Sequence, residues 1–423
     1  MSSRRGGRRL GAIVVGVVAV AVLVAGCSGG SVRPNVPSQA SGALAADMQS
    51  QLQDAAEFAM KASGSSGALV GVWAPWSGTW VVGLGVADTA TGAAADPAMS
   101  FRATTLTRPM TCDVLYALVA NGTVSPSDLV SKYVPTVIGL NGVTLGELCD
   151  GTSGVGSYRP SVESMWLQNP GRVWDPRELV SYGIGRLAAS APGTAWVDSD
   201  AGYQLLGLAL EAASGRKAAD LYGMYVTGPL GLSQTALPDP APADPGRDPL
   251  HGYVSARGAD GAVACTAPTD VTDLSSSIGF TDSGVVSTLD DAKTYTQALA
   301  AGSLLPSGVD RFASAKSPSA DAPTWFTTGG GAFRAGSLVG QYGSVPGYLT
   351  ASFADPGTGL TVVVVLNDSA APAQLAGDLA WQLAAIASKA TPAAGRDAAT
   401  SGLPWTAPQL HDAIAKSAVC PVS

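Results

Sequence analysis

The chain has 423 residues, 46% of them hydrophobic and 13% charged, with a formal net charge of −8. That apolar content is ample for a large buried core and excludes a disordered chain, and the acidic balance leaves no basic footprint for nucleic acid. Only seven of the 24 basic residues are lysines: Lys61, Lys132, Lys217, Lys293, Lys316, Lys389 and Lys416.

Arg4, Arg5, Arg8 and Arg9 precede an apolar run at 11–25, the two opening regions of an export signal. The run is shorter than the ~20 residues of a membrane-spanning helix. It closes on Val24-Ala25-Gly26-Cys27, which resembles a bacterial lipobox. That resemblance implies a lipoprotein signal peptide at 1–26, an acylated Cys27, and anchoring to the outer face of a bacterial cell membrane. A plain secretory signal with an incidental cysteine is the other reading, and the arginine pairs leave Sec and twin-arginine export both open. Residues 27–44, rich in Ser, Gly and Pro, predict a flexible tether.

Beyond the tether, apolar spacing predicts a helix over 44–63, then strands at 67–73 and 79–86 joined by a Pro/Ser/Gly turn. Helical stretches follow near 110–120, 177–188, 203–213 and 218–225. Strand character returns at 348–354 and 360–366, and 371–387 is helical. Strands near both ends around a helical middle predict an α/β layer with a helical insertion. From 389 the Ala/Pro/Thr-rich chain predicts a weakly ordered tail. Apart from Cys27, an even set of cysteines remains (Cys112, Cys149, Cys265, Cys420), which favours disulfides in an exported chain. With His251 and His411 the only histidines, no metal site or cofactor is expected.

Several stretches, taken in order, resemble one family. They are Gly85-Val-Ala-Asp-Thr-Ala-Thr-Gly with Phe101-Arg102, Asn121-Gly-Thr-Val through Tyr133-Val-Pro, Leu145-Gly-Glu-Leu-Cys-Asp-Gly-Thr-Ser-Gly, Pro192-Gly-Thr, Tyr203-Gln-Leu-Leu-Gly, Gly228-Pro-Leu-Gly-Leu, Ser283-Gly-Val-Val-Ser-Thr-Leu-Asp-Asp, and Val345-Pro-Gly-Tyr. Their order is similar to that of the serine β-lactamase-related, penicillin-binding hydrolases of the D-alanyl-D-alanine carboxypeptidase and class C type. The resemblance implies an antiparallel sheet flanked by terminal helices, with an inserted mainly helical subdomain. The domain would run 45–390, its sheet part about 45–104 and 284–390, its helical part about 105–283, with a tail at 391–423. The family packs 145–149 against the helix carrying Cys112, so the resemblance implies a Cys112–Cys149 bridge and leaves Cys265 with Cys420, free buried thiols being the alternative.

The family's chemistry rests on S-x-x-K, Y-x-N and H/K-x-G. The first aligns on Thr105-Leu106-Thr107-Arg108. A β-branched threonine crowds the attack, and a guanidinium stays protonated and has no acceptor, so it cannot serve as base. The second aligns on Asp198-Ser199-Asp200 and the third on Gln341-Tyr342-Gly343. The intact spacing Ser214-Gly-Arg-Lys217 falls on a surface connection of the family. Arg108, Asp198 and Asp200 are expected to form a charge network in a retired active site. The expected protein is a membrane-tethered pseudoenzyme whose cleft still binds a cell-wall peptide or an envelope protein. The alternative is a weak peptidase or esterase using Thr105, and a third reading is a purely structural envelope protein.

Overall fold

The computed structural model describes residues 1–3, 31–140, 142–187, 190–238 and 245–422. All but the first three residues of the signal peptide, and Cys27 itself, lie outside the described residues.

The helices that matter here are α1 (Ala46–Ser63), α2 (Thr107–Ala120), α3 (Arg159–Gln168), α4 (Asp200–Ser214), α5 (Phe280–Ser283), α6 (Leu289–Ala300), α7 (Gln374–Ala387) and α8 (Ala407–Ser417). The large sheet is built from β1 (Gly67–Ala74), β2 (Gly78–Asp88), β3 (Ala93–Ala94), β4 (Phe326–Gly329), β5 (Ala332–Ala335), β6 (Leu338–Val345), β7 (Tyr348–Ala354) and β8 (Thr361–Leu366). Its order is β3-β2-β1-β8-β7-β6-β5-β4. Every pairing is antiparallel, with Val70 opposite Val364 at the junction of the two chain ends.

The apolar run 362–366 of β8 is explained by burial on both faces of the sheet. Val70, Val72, Val362 and Val364 join the core under α1 and α7. Leu69, Trp73, Val363 and Val365 point the other way, into the core shared with α2, α4 and α6. Period-2 alternation thus divides one strand between two cores. The insertion leaves and rejoins the sheet layer at a small antiparallel pair, Phe101–Arg102 with Val286–Ser287. Both disulfides are present, Cys112–Cys149 and Cys265–Cys420, with Cα separations of 5.5 and 5.9 Å.

Two sequence expectations are corrected. The tail holds a packed helix: Thr406 and Gln409 form a capping box at the start of α8, and Leu410 and Ile414 bury one turn apart. Trp405 docks beside them, its indole N–H donating to the Trp381 carbonyl at 3.0 Å. Composition hid this because three well-spaced apolar residues suffice to seat a short helix. The flexible tether expected over 27–44 is not borne out over its described part, 31–44. Val32, Pro34 and Val36 are half-buried and alternate with exposed Ser31, Arg33 and Asn35. Gln39 donates to the carbonyls of Ala74 and Gly78, and Ala40 to that of Pro75. Residues 31–44 are therefore a strap laid along the domain.

Candidate active site

Thr105 lies in the 3-10 turn Thr104–Leu106 that leads into α2. The preceding Thr104 holds a left-handed φ of 50°, a costly conformation for a β-branched residue, and its hydroxyl is hydrogen-bonded to that of Thr350. One turn on, the side chain of Arg108 enters the seam between the sheet and the helical insertion. From the other side come α3, the start of α4, α5 and the second half of β6. Here lies a cavity of about 160 Å³, lined by Thr105, Arg108, Arg159, Trp196, Asp198 and Asp200, with Gly343 and Ser344 of β6, and by no residue of α5.

The Arg108 guanidinium is clamped. Its Nη1 donates to Asp198 Oδ1 at 2.7 Å and its Nε to Asp282 Oδ1 at 2.7 Å. The face of Tyr203 lies 4.9 Å from the guanidinium carbon. Burial works against the charge, but the two carboxylates outweigh it and hold the guanidinium even further above its ordinary pKa. Desolvation likewise opposes ionisation of Asp198, and Arg108 outweighs it, so that carboxyl sits below its usual range.

Asp200 does not join this clamp, contrary to the network expected from the sequence. Its carboxylate accepts from the main-chain N–H of Tyr158 at 2.7 Å and from the Ser157 hydroxyl. The start of α4 thus turns Asp200 toward the 157–159 loop. Burial, and then the nearby charge of Asp282, push its pKa up to about 6. The partner taking its expected place is Asp282, fully buried on α5. Sequence reasoning missed it, although it immediately precedes the matched stretch beginning at Ser283 and a buried arginine demands more than one acceptor.

Thr105 donates its hydroxyl to the Tyr342 carbonyl at 2.9 Å. The Thr105 hydroxyl is thus bonded to a main-chain carbonyl and not to a carboxylate. The third motif splits. Gln341 is not among the cavity-lining residues: its amide donates to the Gly331 carbonyl and accepts from the Tyr342 N–H. Gly343 stays in the cavity wall for a steric reason, since a Cβ there would lie 2.0 Å from Thr105 Oγ1.

The pairing of β5 with β6 stops at Gly340. Beyond it, the outward carbonyls of β6 are already occupied, that of Tyr342 by Thr105 and that of Ser344 by Arg159, whose Nη2 donates at 2.7 Å. Arg159 Nη1 also donates to the Ser344 hydroxyl at 3.0 Å. Arg159 is a second cation of the site that the sequence did not single out. An extended ligand seeking this strand edge would have to displace both side chains. Among the described residues, no cluster of three or more His, Cys, Asp or Glu is arranged to hold a metal ion. Trp166 and Trp174 are buried in the core, whereas Trp196 borders the cavity.

The fold is matched by known proteins. The model of the beta-lactamase family covers residues 52–385, and the chain belongs to that family. The D-alanyl-D-alanine-carboxypeptidase/endopeptidase AmpH of Escherichia coli is 32% identical over 174 residues, 38% of this chain and 44% of that protein. The chain therefore spans less than half the length of this curated relative. Among solved structures, a D-stereospecific amidohydrolase from Streptomyces superposes with a TM-score of 0.67 at 23% identity, covering 78% of this chain and 98% of the other. The D-amino acid amidase of Ochrobactrum anthropi gives 0.65 at 21%, covering 77% and 92%. A penicillin-binding protein from Bacillus halodurans gives 0.62 at 21%, covering 77% and 97%.

Proposed function

We propose that this chain is a lipid-anchored envelope protein of the β-lactamase family that binds without hydrolysing. The observation that carries the reading is the Arg108 clamp. Where the family keeps a lysine able to take a proton, this chain holds a guanidinium fixed between Asp198 and Asp282. The hydroxyl it would have to activate is bonded to a main-chain carbonyl. In hydrolases of this logic, losing nucleophile or base costs on the order of 10⁶ in turnover.

The cavity limits what can bind. At about 160 Å³ it falls below the ~300–1,000 Å³ of small-molecule sites. It suits a terminal group of a larger ligand, such as the end of a cell-wall peptide or of a partner's chain. Similarity to a D-alanyl-D-alanine-carboxypeptidase/endopeptidase, a D-stereospecific amidohydrolase and a D-amino acid amidase favours a D-amino-acid terminus over other chemistries.

Three measurements test this. Fluorescent penicillin and a fluorophosphonate should leave the protein unlabelled. Labelling that disappears in Thr105→Ala would mean that Thr105 is a working nucleophile and would sink the pseudoenzyme reading. A thermal-shift screen with muropeptides should raise the melting temperature, and a flat screen removes the peptide ligand. Cys27→Ser should release the protein from the membrane fraction.

A further inference from the structure

The strap at 31–44 decides how far the domain can stand from its anchor. At its beginning the Val32 N–H donates to the Pro229 carbonyl at 2.8 Å. Its fixed-φ residues Pro34 and Pro37 stiffen it. Its middle is held by Arg396, whose Nη1 donates to the Ser38 carbonyl at 3.0 Å, and its end pairs Ala43 with Thr79. Only Ser28–Ser31 separate Cys27 from the first fixed residue, Val32. Fully extended, five residues reach at most ~18 Å, whereas a free tether over 27–44 would reach ~61 Å. A domain of this size has a radius of gyration of about 21 Å. The greatest possible span from Cys27 to Val32 is thus shorter than that radius.

We propose that the surface around Pro229 is a membrane-contact face, held against the lipid headgroups by this short link. The inference rests on acylation of Cys27. The face has suitable chemistry. Met224 is 44% exposed in the turn preceding Pro229, an apolar side chain available to the headgroup boundary. Arg33 is exposed beside Val32 and offers a cation to anionic lipid. The occupant is a bilayer rather than a protein because the acyl chains on Cys27 fix a bilayer within reach of Val32.

The test uses the full lipidated chain in phosphatidylglycerol/phosphatidylcholine vesicles with doxyl-labelled lipid. Met224→Cys supplies the labelling site, because Cys112, Cys149, Cys265 and Cys420 are paired in disulfides. A fluorophore at 224 should be quenched several-fold, and inserting twenty Gly/Ser residues between Gly30 and Ser31 should remove most of that quenching. Partition into vesicles without quenching at 224, or quenching unchanged by the insertion, overturns the contact face while leaving the anchor intact. Equal recovery of the native chain and Cys27→Ser in the soluble fraction overturns the acylation reading, and this inference with it.

Discussion

Arg108 Nε meets Asp282 Oδ1 at 2.7 Å, in a position where the Asp282 side chain has no exposure to solvent. The same guanidinium meets Asp198 at the same distance, but the Asp198 side chain is 68% exposed. Equal geometry therefore conceals unequal dependence, because water can take the place of the exposed Asp198 carboxylate beside Arg108 but cannot enter where Asp282 is buried.

The two carboxylates should separate in a stability measurement. Asp282→Ala leaves the buried Arg108 charge half-compensated and should cost ~3–5 kcal/mol, while Asp198→Ala should cost ~1 kcal/mol or less. Urea denaturation of the two variants checks this, and equal costs would show that Asp282 is not the principal counter-charge.

Restoring the family's residue types at two positions should not restore its chemistry. In the double variant T105S/R108K the new ammonium would still face Asp282, which favours its protonated form. Asp198 and Asp200 would still stand where the second motif keeps its Tyr and Asn. Penicillin labelling of the double variant should remain absent. Its appearance would mean that the rest of the site is competent and that the proposed inactivity rests on two side chains alone.

Gly343 and Thr105 compete for one space. Gly343→Ala places a Cβ in contact with the Thr105 side chain and should cost ~1–3 kcal/mol through overpacking. Adding Thr105→Ala should recover part of that loss, giving a favourable coupling in a double-mutant cycle. Strict additivity would contradict the contact.

Much of this was legible before the structure because the signals are local. Strands 67–73, 348–354 and 360–366 are rich in apolar and β-branched residues, and their ends agree with β1, β7 and β8 within a residue. Thr105, Arg108, Asp198 and Gly343 were reached through motif order, and all four line one cavity. Asp282 was not reached, since its pairing with Arg108 spans 174 residues and leaves no periodic trace. Asp200 misled because two positions along a helix start suffice to turn a side chain to another face. Residues 31–44 read as a tether because Ser, Gly and Pro describe a segment without regular structure, which includes one held by main-chain hydrogen bonds.

Acid should stabilise one corner of the fold. Asp378, on α7, is buried beside Gln374, and burial pushes its pKa from 3.8 to about 6. Its raised folded-state value contributes stability that is complete below pH 3.8 and is lost as pH rises through 6. Asp378→Asn keeps a partner for Gln374 and avoids the buried charge. It should therefore gain on the order of 1–3 kcal/mol at pH 7.5 and nothing near pH 4. Thermal melts across that range check it, and a gain independent of pH would point to packing instead.

The junction of β1 with β8 bears on when the molecule can acquire its shape. Gly67 donates to the side chain of Asn367, a partner 300 residues away. Until nearly the whole polypeptide is available, β1 lacks one of its two neighbours and the sheet cannot close. Such long-range closure is slow, so the nascent chain stays open through most of its synthesis. The stretch that supplies the second neighbour of β1 is among the last to be made, so the sheet that β1 begins is completed only near the end of synthesis.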